Sequence, residues 1–167
     1  MTRLAFLFSI LLCISTQLFA QNIAEMRGIF YEAVKNPSEA ENYKSVPTEL
    51  KASQPLIIAY FGGLKTMMAN TVSNPYKKLK FFNEGKDLIE KAVNENKTDW
   101  EIRFVRFMIQ CKIPSFLLYN NINEDKKIIL EELSKKDKHD NYVKKIAVRF
   151  LVDSGKLNNN EIDRLNN

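Results

Sequence analysis

The chain is short of the residues from which catalytic and metal sites are usually built. In 167 residues it has one histidine, two cysteines and one tryptophan. Glycine and proline are also scarce, at five each. The lone histidine, His139, sits in the charged stretch KKDKHDNY with no orienting motif around it, so it reads as a surface residue rather than a general base. Metal binding needs histidine, cysteine or carboxylate groups at fixed spacing, and no such cluster occurs, so neither metal nor cofactor is expected. Gly62-Gly63 has no preceding strand and no lysine-serine/threonine ending, which excludes a phosphate loop; the pair is read as a close helix crossing or a kink. A glycosidase-like pair of carboxylates brought together by folding stays open, because spacing in the chain does not decide it.

The N-terminus has a different composition. MTRLAFLFSILLCISTQLFAQN has one basic residue, Arg3, then an apolar stretch from Leu4 to Ile14, then Ala20 as a small residue before Gln21. This is the layout of a secretory signal peptide over residues 1–20, and it predicts export to the periplasm or beyond. The apolar stretch is shorter than the roughly 20 residues that span a bilayer. Leu12 before Cys13 is not the small residue that a lipid-modification signal requires. Removing residues 1–20 leaves 147 residues (21–167), which suits one domain, and 24 basic against 20 acidic residues, a charge of +4. Cys111 is then the sole thiol, so no internal disulfide forms and stability must come from packing. A dispersed +4 does not argue for nucleic acid. No run of about 18 apolar residues follows the signal, so no membrane span is expected after cleavage.

What is present is lysine, glutamate, leucine and isoleucine in helical periodicity, without sustained alternation. That predicts an all-α domain. Expected helices run over 23–35, through the 40s with Ser38 and Glu41 as a capping box, 53–71, 76–94, from an Asp99 cap to Pro114, 123–136, 141–153 and 160–165. Ile113 to Tyr119 reads as an apolar connector tucked against the body. Two echoes suggest repetition. Residues 83–89 (NEGKDLI) align with 123–129 (NEDKKII), and 105–109 (VRFMI) with 148–152 (VRFLV). Repeated hairpins at about 76–112 and 121–154 would make a stack of antiparallel helical hairpins, as in an α-solenoid.

Gly85, Ile89 and Ala92 match the small-large-small spacing of the second tetratricopeptide helix, and the architecture resembles that family. Lys97 stands where its proline is expected, and Ser73-Asn74-Pro75 interrupts the first half of the motif. The residues EIRFVRFMIQ…IPSFLLYN…EDKK, within about 75–130, resemble a family of small uncharacterised exported helical proteins of Gram-negative bacteria. The resemblance implies export and a helical fold, and no activity.

Residues 100–113 carry two arginines among aromatics. On a helical wheel Trp100, Phe104, Phe107, Met108 and Cys111 share one face, and Ile102, Val105, Ile109 and Ile113 the opposite one. A helix apolar on two sides is sandwiched between neighbours, with Cys111 an inert thiol. The rings point away from the arginines, unlike a base-stacking strip. Arg103, Arg106 and Gln110 fall on a narrow stripe between the faces, with Glu101 and Lys112 on the other seam. The stripe is either a solvated edge, a set of ion pairs to an adjacent helix, or the lining of a groove that captures a peptide. The expected function is a non-catalytic protein- or peptide-binding or accessory module of the cell envelope. The alternative is a small helical hydrolase acting on cell-wall or peptide substrates, which would need a desolvated Glu or Asp in a cleft.

Overall fold

The structure, a computed structural model, describes residues 22–45, 54–135 and 142–166. Every regular element among them is helical, giving an all-α single-domain fold. His139 lies outside the described residues, as does the N-terminal segment 1–20.

Helix α1 spans 22–35. Asn36 ends it and starts a 3-10 helix, Pro37–Ser45, with its side chain accepting from the Ser38 amide (3.3 Å) and hydroxyl (2.8 Å). The capping role therefore belongs to Asn36 and not to the expected Ser38–Glu41 box; Glu41 pairs with Lys44 instead (3.3 Å).

Helix α2 (Pro55–Met67) runs into a 3-10 turn, Met68–Asn70. All residues from Ile57 to Leu64 are buried, as expected of a helix apolar on every side. Helix α3 (Pro75–Glu95) starts on Asn74, whose side chain accepts from the amides of Tyr76 (2.9 Å) and Lys77 (3.2 Å), with Pro75 in the first turn where its missing N–H costs nothing. The two helices cross at glycines. A Cβ on Gly62 would lie 2.7 Å from the Gly85 carbonyl oxygen, and one on Gly85 would lie 2.5 Å from that of Gly62. The crossing expected at Gly62-Gly63 is present, and its other half is Gly85.

Helix α4 (Trp100–Lys112) is capped by Asp99, which accepts from the amides of Glu101 (2.9 Å) and Ile102 (3.2 Å). It is the central stave, buried without interruption from Glu101 to Gln110. Helices α5 (Ile122–Leu133), α6 (Tyr142–Asp153) and α7 (Asn159–Asn166) follow. Gly155, in a left-handed conformation (φ 64°), closes α6, a turn that glycine makes without strain. α1 packs by Phe30 and Tyr31 on Tyr60 of α2, with ring centroids 5.0 and 6.1 Å apart. α6 sets Phe150 edge-on to Phe104 and Phe107 of α4, at 5.9 and 6.2 Å.

The echoed segments fall on α3 and α5, and on α4 and α6. The first pair shares a burial pattern: Gly85 and Ile89 are buried, as are Asp125 and Ile129. The second does not. Arg106 is buried in α4, whereas Arg149 is exposed on α6, where among the described residues its ion pair is with Asp153 of its own helix (3.8 Å).

The connector after α4 is only half tucked in. Leu117 and Tyr119 face the body, while Phe116 and Leu118 are 77% and 89% exposed. Leu118 has a left-handed backbone (φ 51°), which few non-glycine residues adopt and which turns the chain so that alternate side chains point outward.

Candidate functional site

The arginine stripe of α4 faces the first turn of α5. Arg106 grips Asp125 with two prongs, Nε to Oδ2 at 2.8 Å and Nη2 to Oδ1 at 2.6 Å. Its third nitrogen, Nη1, reaches both oxygens of Glu90 on α3 at 3.1 Å. Arg103 donates from Nη1 to Glu124 (2.6 Å) and Asp125 (3.1 Å), and from Nε and Nη2 to the Lys97 carbonyl (2.9 and 2.8 Å). Tyr119 donates to Glu90 (2.6 Å). Gln110 exchanges bonds with Asn121, receiving from its amide at 3.0 Å and donating to its side chain at 3.3 Å.

Arg103, Arg106 and Gln110 are thus only 3%, 2% and 5% exposed, and Asp125 is fully buried. This corrects the solvated-edge and groove expectations. The three side chains are turned onto α5, and the polar atoms that a peptide would have to meet are already engaged. No buried side-chain nitrogen or oxygen among the described residues lacks a hydrogen-bond partner. A fully satisfied buried network fixes how helices pack and leaves nothing waiting for a ligand. The electrostatics agree. Burial works against the charge on Arg106, but its bonds to Asp125 and Glu90 hold its pKa above the ordinary arginine value. The Arg103 bond holds Glu124 below the usual glutamate range. Burial is the largest influence on Asp125 and pushes its carboxyl up, with both guanidiniums pulling the other way.

The opposite seam of α4 holds a second buried cluster. Glu101 accepts from Arg27 Nε at 2.6 Å and Nη2 at 2.5 Å, and from the Tyr60 hydroxyl. The Tyr31 hydroxyl lies 3.4 Å from that of Tyr60. Burial first, and then the Glu101 charge, raises Tyr60 well above the ordinary tyrosine value. Burial likewise raises Tyr31, against the opposing Tyr60 bond, and raises Tyr119, which Glu90 reinforces. A raised folded-state tyrosine pKa stabilises the fold fully below the unfolded value of about 10, and that contribution is lost as pH rises beyond it. Stability should therefore fall steeply above about pH 10. Tyrosinate absorbance from Tyr31, Tyr60 and Tyr119, taken by difference from each Tyr→Phe variant, should appear only as helical circular dichroism is lost. Titration of all three with the helices intact would show that these hydroxyls are open to water.

Cys111 is half-buried rather than enclosed, and burial raises its thiol pKa, which keeps it a poor nucleophile.

A larger open site lies elsewhere. A cleft of about 830 Å³ lies between the end of α1, the end of α2, the start of α3 and the connector after α4. Met67, Leu79, Phe82, Ile109, Phe116 and Phe150 are among the apolar side chains lining it. Its charged lining residues are Lys35, Lys78 and Lys112, and no carboxylate contributes. The volume is in the range of roughly 300–1,000 Å³ typical of ligand sites. The helices that form this cleft are legible in the sequence; the cleft is not. No stretch of the sequence marks it, because the apolar connector 113–119 reads the same whether Phe116 and Leu118 turn inward or, as here, outward. Among the described residues no group of histidine, cysteine and carboxylate is placed to hold a metal ion. No helix there is long and apolar enough to cross a membrane.

Fold and sites together define an all-α single-domain protein with saturated buried polar networks and an open apolar cleft. No family model, curated protein or solved structure matches the chain.

Proposed function

We propose that this protein is an exported, non-catalytic binding module of the cell envelope, which receives the apolar part of a partner in the cleft between α1, α2, α3 and the connector after α4. The observation that carries this is the chemistry of the lining: aliphatic and aromatic side chains with lysines at the edge. The carboxylates buried deepest, Glu101 and Asp125, are bound to arginines outside the cleft, so the lining supplies no carboxylate for the alternative, a small helical hydrolase of cell-wall or peptide substrates. The signal-like residues 1–20 and the resemblance to exported helical proteins support the envelope location. We read α3–α4 and α5–α6 as two hairpins of one stack, with the cleft at its α1–α2 end.

An anilinonaphthalene sulfonate dye, apolar with one negative charge, tests the site. It should saturate the native protein, and Leu79→Ser with Phe116→Ser should weaken binding without lowering the melting temperature, since both side chains are largely exposed. No saturable binding by folded protein would overturn the cleft as a binding site. Turnover of peptide or cell-wall fragments by the purified protein would put the hydrolase first.

A further inference from the structure

The cleft does not end at its walls. Leu79 and Phe116 stand at its mouth 51% and 77% exposed, and each has an exposed apolar neighbour that does not line it. Tyr76, 86% exposed, lies one turn before Leu79 on α3; Leu118, 89% exposed, lies two residues beyond Phe116. Two large apolar side chains thus stand at the opening, each with an exposed apolar neighbour close by in the chain, although scattered single exposures are the norm on soluble surfaces. Leu118 is held there by the left-handed backbone. Cations accompany them. The start of α3, residues 75–80 (PYKKLK), is exposed throughout, and Lys77 and Lys78 are joined by exposed Lys112 from α4. None of these three lysines has a carboxylate within ion-pair distance among the described residues. Lys112 instead lies over the Phe150 ring, 5.8 Å from its centre.

We propose that this face docks on an anionic lipid surface. Tyr76, Leu79, Phe116 and Leu118 enter at headgroup depth, Lys77, Lys78 and Lys112 meet the lipid phosphates, and an acyl chain lies in the cleft. The proposal rests on the cleft's being a binding site and names what fills it. Aromatic and aliphatic side chains set beside lysines suit the membrane interface, where the rings sit at headgroup level and ammonium groups reach the phosphates. A peptide helix in a groove would be gripped by the lining, leaving Tyr76 and Leu118, which stand outside it, without a role.

The test is sedimentation of the protein purified from exporting cells with vesicles of phosphatidylcholine, and of phosphatidylcholine mixed with phosphatidylglycerol. All variants carry the same N-terminus, so any lipid affinity of residues 1–20 cancels between them. Wild type should bind the anionic vesicles, weakly at high salt, and leave the neutral ones. Lys78→Glu with Lys112→Glu should lower binding about tenfold or more. Phe116→Ser with Leu118→Asn should lower it similarly; asparagine accepts the left-handed backbone, so the connector keeps its path. Melting temperatures should match wild type. Equal binding to both vesicle types, or variants that bind like wild type, would overturn the proposal. So would capture of a model acidic helix of glutamate and leucine without vesicle binding. In each case saturation by the dye would leave the cleft standing as a binding site, and loss of dye binding would remove both.

Discussion

Asp125→Ala is expected to lower the unfolding free energy by about 3–5 kcal/mol, the range for breaking a buried ion pair by removing one partner. Asp125 is fully buried and bridges two guanidiniums, so its loss strips charge compensation from Arg106 at two nitrogens and from Arg103 at one. Glu90 and Glu124 remain near, but both are partly solvated and neither replaces the two-pronged contact. Measured against a total stability of about 5–15 kcal/mol, the change is large enough to leave much of the protein unfolded in the cell. Urea denaturation should show it, with Glu124→Ala as the comparison. Glu124 is mostly exposed, and its removal should cost about 1 kcal/mol or less, as for surface pairs. Equal effects of the two substitutions would mean that water enters between α4 and α5.

Phe107→Ala is expected to cost about 3–5 kcal/mol, as for other truncated core phenylalanines. The ring is fully buried in α4 and meets Phe150 edge-on, so truncation removes both buried area and the aromatic contact between α4 and α6. Phe150→Ala should cost less, because that ring is half-buried at the edge of the cleft. Thermal melts of the two variants give the order. A Phe107 variant as stable as wild type would contradict the central position of α4.

Several helices were legible because they carried their own punctuation. Asn74-Pro75, Asp99, Pro114 and Ser154-Gly155 are local signals, and the termini fall on them. The two apolar faces of α4 were legible for the same reason, since periodicity needs no knowledge of the neighbours. What lay along its seams was not. Arg103 and Arg106 on an amphipathic helix look identical whether they meet water or Asp125, and the choice depends on α5 docking its acidic first turn there. The pair Glu124-Asp125, at the start of the next helix, was the available hint. Glu101 was read as a polar seam and is instead the centre of a buried cluster, because Arg27 and Tyr60 arrive from 74 and 41 residues away. The cleft has no sequence signature at all. It is a gap among α1, α2, α3, α4, the connector and Phe150 of α6, and only their packing creates it.

Ten of the thirteen residues of α4 are buried, with an arginine pair locked on one seam and a glutamate on the other. The segment therefore cannot drift one position at a time. Lysine at position 106 loses the two-pronged grip on Asp125, and neutralising either partner alone strands the other. Substitutions here should be tolerated only in matched sets, with position 106 changing alongside 90 and 125, and 101 alongside 27 and 60. Relatives of this chain would then be recognised less by shared residues in α4 than by paired changes linking it to α1, α2, α3 and α5.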